Sequence, residues 1–201
     1  IGTKIYAGGL FTQVQASSGG TVYSRANLFS FDATTGAIDT TFAPTFDGAV
    51  NQPEDISGGV FLSTWSTAAA YDNLTVKSND TGDTLFSDQF DDASKWSPQS
   101  GTWAATGGTY VQTSTSVNDA RTIPTGAYAK DWSNYTLELD ATKQSGAEGF
   151  LVGFGAKDTN DFYWWNIGGW GNTRSVLQKA SGGAASEVKA LENKSLVTGQ
   201  T

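Results

Sequence analysis

Phe162-Tyr163-Trp164-Trp165-Asn166-Ile167-Gly168-Gly169-Trp170-Gly171-Asn172-Thr173-Arg174 carries three of the chain's seven tryptophans beside a Gly-Gly pair. In a strand, neighbouring side chains point to opposite faces, so Trp164 and Trp165 cannot both enter one core. Trp164 shares its face with Asn166, and Trp165 shares the other with Ile167. The aliphatic neighbour nominates Trp165 for the core and Trp164 for exposure. Trp170 follows the Gly168-Gly169 turn, with Asn172 and Arg174 just beyond. Trp164, Asn166, Trp170, Asn172 and Arg174 together supply rings, amides and a guanidinium fork, the groups that bind a flat, hydroxylated ligand. The competing reading buries both adjacent tryptophans, one in the core and one beneath a loop or a neighbouring domain.

Outward from this stretch the pattern stays β. Arg174 to Lys179 reads as the hairpin partner, and Asp158-Thr-Asn-Asp161 as the turn that leads in. Gly149-Phe-Leu-Val-Gly-Phe-Gly155 is apolar on both faces, as a central strand between two layers must be. Tyr135, Leu137, Leu139 and Ala141 alternate with Thr136, Glu138 and Asp140. Gly58 to Lys77 gives two strands, the second with Tyr71, Asn73 and Thr75 on one face and Asp72, Leu74 and Val76 on the other. Thr84 to Asp92, the segments around Trp96 and Trp103, and a Gly107-Gly108 hairpin into Thr109–Thr113 add short strands. The tail over 184–201 holds one weak run, helix-like or strand-like. Residues 58–201 are therefore expected to form an all-β jelly-roll sandwich. Residues 1–50 read as a small β-meander, and the polar, proline-containing stretch 51–57 as a linker.

Composition sets the limits on chemistry. The 201 residues include no His, Cys or Met, and the formal net charge is −8. Nucleophilic triads, imidazole bases and thiolate or histidine zinc sites are excluded. Scattered Lys and Arg give neither the basic stripe of a nucleic-acid reader nor the basic amphipathic face of a membrane binder. No apolar run approaches the roughly 20 residues of a membrane-spanning helix. An opening on Ile1-Gly2 without Met reads as a mature or excised piece of something longer. A chain without cysteine is compatible with a secreted or cell-surface bacterial protein.

Two family resemblances rest on specific motifs. Lys4-Ile-Tyr-Ala-Gly-Gly-Leu-Phe, Arg25 to Gly36 with its Leu28 and Phe31-Asp32, and Phe42-Ala-Pro44 resemble one blade repeat of secreted bacterial propellers of the delta-sixty type. One blade cannot close a propeller, so this segment is expected to be a fragment, to pack on a neighbour or to pair with other chains. Thr64-Trp-Ser-Thr, Tyr71-Asp-Asn-Leu-Thr-Val76, Leu85-Phe-Ser-Asp-Gln-Phe90, Gly101-Thr-Trp103 and Asp161 to Thr173 resemble the laminin-G-like or concanavalin-like jelly-roll modules attached to bacterial α-L-arabinofuranosidases. In that family the Tyr-Asp-Asn strand closes the sandwich, whereas here it precedes the Phe-Ser-Asp strand that opens one. Either the chain ends early, or residues 58–78 are a permuted or borrowed closing strand.

The resemblance implies a structural calcium where first and last strands meet, and the hard oxygens of Asp72, Asp88, Asp91 and Asp92 suit it. Plain acidic turns are the other reading of the same residues. Glu138 and Asp140 lie roughly 7 Å apart by strand rise, a separation open to glycosidases. An outward strand face is ordinarily just solvated, and the resembled enzymes keep their catalytic carboxylates on a separate barrel, so no catalytic residue is assigned. Trp65, Trp96, Trp103 and Trp132 are expected as core or loop plugs. The leading expectation is a non-catalytic carbohydrate-binding module of a secreted multidomain protein, with an arabinose- or xylose-containing polysaccharide or oligosaccharide as partner. The alternative is a structural or adhesive surface segment that self-assembles through strand contacts.

Overall fold

The computed structural model describes residues 4–8, 11–44, 56–125, 131–191 and 195–201. Residues 51–55 of the expected linker lie outside the described residues. The chain divides into two compact units, Ile1–Asp55 and Ile56–Thr201.

Among its described residues the first unit holds four short strands, β1 (Lys4–Gly8), β2 (Gln13–Gln15), β3 (Val22–Ser24) and β4 (Leu28–Asp32). β1 pairs antiparallel with β4, and β2 with β3. Rings join the pieces: Phe11 meets Phe29 edge-on, Phe29 stacks on Phe31, and Tyr6 meets Phe42. Asp32 accepts from the backbone N–H of Thr34 and Thr35, which closes the turn after β4 at Gly36.

Among the described residues the second unit is an all-β sandwich of twelve strands. In chain order they are β5 (Gly59–Thr64), β6 (Thr67–Ser78), β7 (Thr84–Asp88), β8 (Trp96–Pro98), β9 (Trp103–Thr106), β10 (Thr109–Gln112), β11 (Ala120–Pro124), β12 (Tyr135–Gly146), β13 (Phe150–Ala156), β14 (Phe162–Gly168), β15 (Arg174–Ser181) and β16 (Ala184–Leu191). The smaller sheet runs β12-β6-β10-β9, with β7 also on β6; the larger runs β16-β15-β14-β13-β5-β11-β8. Every pairing is antiparallel. Residues 58–78 thus belong to the sandwich on both sides, β5 lying beside β13 and β6 beside β12. The weak run in the tail is a strand, β16, on β15.

Between the sheets lies a core of Val60, Leu62, Tyr71, Leu74, Val76, Phe90, Trp96, Tyr110, Phe150 and Val152. The strict alternation expected along residues 71–76 is interrupted. Asn73 has φ 52, and the register with β12 shifts between Glu138 and Asp140. This bulge adds one residue to β6, so Tyr71 and Leu74 turn to the same side and both are fully buried in that core. Asparagine tolerates the left-handed conformation that the bulge requires.

The larger sheet is also apolar on its other face. Phe61, Leu151, Ala156, Phe162, Trp164 and Ala180 form a second buried cluster, with Trp65 and Ile123 against it. Period-two alternation explains the division: Val60 and Leu62 face one way and Phe61 the other, Phe150 and Val152 one way and Leu151 the other. Phe61, Gly153, Trp164 and Gln178 are register partners across four adjacent strands. A Cβ on Gly153 would lie 2.2 Å from the Phe61 ring, so this glycine lets the ring cross its strand.

Candidate functional site

A cleft of about 470 Å³ opens on the outer face of the larger sheet. Trp65, Trp164, Trp170, Phe162, Asp119, Arg121, Glu148, Thr159, Asn160, Asn166 and Gln178 line it. Its floor is rigid and hydrogen-bonded. The Trp164 indole N–H donates to Gln178 Oε1 at 2.9 Å, and Asn166 Nδ2 donates to the same oxygen at 3.2 Å. Phe162 and Trp164 pack at a ring separation of 4.9 Å.

Arg121 is the unexpected part of the floor. It projects from β11 and is 6 % exposed. Its guanidinium lies 4.4 Å from the centroids of both Phe61 and Phe162, and 5.7 Å from Trp164. Nε and one terminal nitrogen grip the Asp119 carboxylate at 3.1 and 2.7 Å, and the other terminal nitrogen reaches Thr159 O at 3.3 Å. Ser63 Oγ donates to Asp119 Oδ1 at 2.8 Å, which fixes the carboxylate from below. Two of the five guanidinium N–H groups are left over.

Trp170 rises at the rim. It is 45 % exposed, and it sits in a left-handed turn: Gly168 has φ 71, Trp170 φ 49 and ψ 55, and Gly171 φ 70. A bulky residue in that region is strained by about 1–3 kcal/mol, and such strain collects at sites that use it. Three contacts hold the turn. Thr173 Oγ1 donates to Trp170 O at 2.8 Å, Thr173 N donates to Gly169 O, and the Arg174 guanidinium lies 4.6 Å from the Trp170 ring centroid.

The five expected ligand residues are therefore divided. Trp164, Asn166 and Trp170 line the cleft. Asn172 is not directed there: it bonds the backbone of Leu196 twice, at 2.8 and 2.7 Å, and so fastens the tail. Arg174 pairs with Glu187 at 2.7 Å and supports Trp170 from outside the cleft. The expectation that Trp164 is exposed is corrected, since it is 6 % exposed. Phe61, Phe162 and the Arg121 guanidinium crowd around its ring, and only the cleft-facing part is accessible. Trp165 packs against the inter-sheet core with Ile167.

Trp65, expected as a plug, lines the cleft, and the sequence pattern passed over Asp119, Arg121, Glu148 and Gln178 altogether. Gln178 was recoverable, because the hairpin register sets it opposite Trp164. The others come from distant parts of the chain and leave no local trace.

The four aspartates expected to share calcium do not converge. Asp88 is buried and accepts from Trp96 Nε1 at 2.8 Å, Phe90 N at 3.1 Å and Lys95 Nζ at 3.4 Å. The half-exposed Lys95 is its ion-pair partner. Asp92 accepts from Ser94 N in an exposed turn, and hydrogen bonding from the Ser94 side chain, then from its backbone, draws its pKa below the ordinary carboxylate value. Asp72 accepts from Asn73 N in the bulge, and Asp91 is exposed. Among the described residues no three acidic groups are grouped so as to hold a metal.

Over 132 residues, 64 % of its length, the chain is 50 % identical to the extracellular exo-alpha-L-arabinofuranosidase of Streptomyces chartreusis. The match spans 15 % of that protein. No family model matches the chain. No solved structure matches it either.

Proposed function

We propose that residues 56–201 form a non-catalytic carbohydrate-binding accessory module of a secreted multidomain protein, taking an arabinose- or xylose-containing polysaccharide in the outer-face cleft. The carrying observation is a three-tryptophan cleft in which an exposed and strained Trp170 stands over a hydrogen-bonded floor. Aromatic rings favour the apolar face of a sugar ring, while amide groups donate to and accept from its hydroxyls and carboxylates accept from them. The arrangement suits recognition rather than catalysis, since Asp119 is committed to Arg121 and Ser63. The small share of the Streptomyces enzyme that is matched suits an accessory segment, and that enzyme's extracellular character suits a secreted parent. Affinity electrophoresis in arabinan and arabinoxylan gels tests the proposal. Retarded migration of the wild type that is lost in Trp170→Ala supports it; unretarded wild type in both gels would refute it.

One observation favours assembly as a second reading. β12 ends the smaller sheet, and beside it an apolar hollow of about 310 Å³ is lined by Tyr135, Leu137, Leu139, Val152, Phe154, Trp165 and Ile167. The far end of β12 already accepts from Gly199 N at Lys143 O, and an end strand over an apolar surface is a template for strand addition. Sedimentation that gives only a monomer across a wide concentration range removes this reading.

A further inference from the structure

We propose that the cleft selects uncharged polysaccharide and that Glu148 is the residue that enforces this, an inference that rests on reading the cleft as a sugar site. Three charged side chains line it: Asp119, Arg121 and Glu148. The first two neutralise each other. Arg121 is 6 % exposed, gripped by Asp119 through two bonds and walled by Phe61, Phe162 and Trp164. Two of its N–H groups stay unspent, but its charge is already matched by Asp119.

Glu148 differs. Its backbone N–H donates to Thr67 Oγ1 at 3.1 Å, but among the described residues its carboxylate has no hydrogen-bond or ion-pair partner. The cation that feels it is Lys143, which is buried, outside ion-pair contact, and has its pKa lowered by burial. Glu148 thus brings to the cleft lining a carboxylate whose oxygens only accept hydrogen bonds. Hydroxyl groups of a neutral sugar can donate to both oxygens in place of water.

A uronic-acid carboxylate entering the same space meets a like charge, while the nearby cations are already engaged, Arg121 by Asp119 and Lys143 by its burial. The net charge of −8 adds a repulsive background of the same sign. Like charges about 6 Å apart near a protein surface, softened by Lys143 and by salt, amount to roughly a tenfold loss of affinity. Glu148 thus plays two parts, as hydroxyl acceptor and as charge filter.

The test uses one polymer in two forms: glucuronoarabinoxylan, and the same material after chemical reduction of its carboxyl groups to alcohols. Binding is measured by affinity electrophoresis and calorimetry with the full chain. The wild type is expected to bind the reduced form about tenfold more tightly than the acidic one. Raising salt from about 20 to about 500 mM should strengthen binding of the acidic form and leave the reduced form unchanged. Glu148→Gln, which keeps the shape and removes the charge, should bring the two forms close together. The wild-type salt response stands independently should that variant fold poorly. Equal binding of both forms by the wild type, or an acid-to-neutral ratio that Glu148→Gln leaves untouched, overturns the charge filter while the sugar site stands. Binding of neither form overturns both.

Discussion

Replacing Arg121 by methionine probes how the cleft floor is built. The guanidinium is wedged 4.4 Å from two rings and fixed by three hydrogen bonds. A desolvated cation over an aromatic face contributes about 2 kcal/mol, and two faces are lost together. Methionine restores part of the packing, and Asp119, whose side chain is 31 % exposed, can rehydrate and so adds little penalty. The net cost for the sandwich is about 3 kcal/mol, equivalent to a fall in melting temperature of about 6–12 °C for a unit of this size. Thermal unfolding followed by circular dichroism reads the shift. Near-ultraviolet bands should change too, because Trp164 loses a wall of its pocket. Asp119→Asn alone should cost less, about 1 kcal/mol, since the neutral amide still accepts from Arg121 and the guanidinium keeps its rings. A melting temperature for Arg121→Met within about 2 °C of the wild type would refute the view that the guanidinium organises the floor.

Three further outcomes follow from burial. Asp88→Ala strips the Trp96 indole of its acceptor in a site 5 % exposed and should cost about 2 kcal/mol, read as a drop of about 4–8 °C in the melting temperature. Gly153→Ala drives a methyl group into the Phe61 ring and should cost about 1–3 kcal/mol by urea unfolding; an unchanged midpoint would show that the ring has room to move. Tyr71, Tyr110 and Tyr135 have their pKa raised by burial. The raised folded value means that these hydroxyls stay neutral in the fold while the unfolded chain ionises above pH 10. Stability is therefore level below about pH 10 and falls above it, by up to about 1.4 kcal/mol per pH unit for each of the fully buried Tyr71 and Tyr110. The tyrosinate absorbance of these three should rise only with unfolding; smooth titration of all seven tyrosines in the folded chain would contradict their burial.

Period-two reading carried far where strands were regular. It separated Trp164 from Trp165, identified Gly149–Gly155 as a two-sided central strand, and made Arg174–Lys179 the hairpin partner, because each depends only on neighbours along the chain. It failed at Asn73, where one extra residue reverses the faces that follow. It also misjudged the exposure of Trp164. Whether a ring on the outer face is open depends on what covers it, and here the cover is Arg121, more than forty residues earlier, held by a Ser63–Asp119 contact that no local pattern announces. Trp65 was undervalued for the same reason, since its cleft neighbours come from other strands. Asn172 and Arg174 have the chemistry of ligand residues, yet the fold uses them to fasten Leu196 and to brace Trp170.

Trp170 offers the most direct measurement of the central claim. At 45 % exposure it carries little of the core, so Trp170→Ala should leave the melting temperature nearly unchanged, whereas Trp164→Ala would confound binding with unfolding. Calorimetric titration with arabinan and arabinoxylan oligosaccharides should give a finite affinity for the wild type. Loss of about 2 kcal/mol on truncating a stacking ring predicts roughly a thirtyfold weaker Kd for Trp170→Ala. Wild-type binding with an unaltered Kd in the folded variant would contradict the cleft as the sugar site.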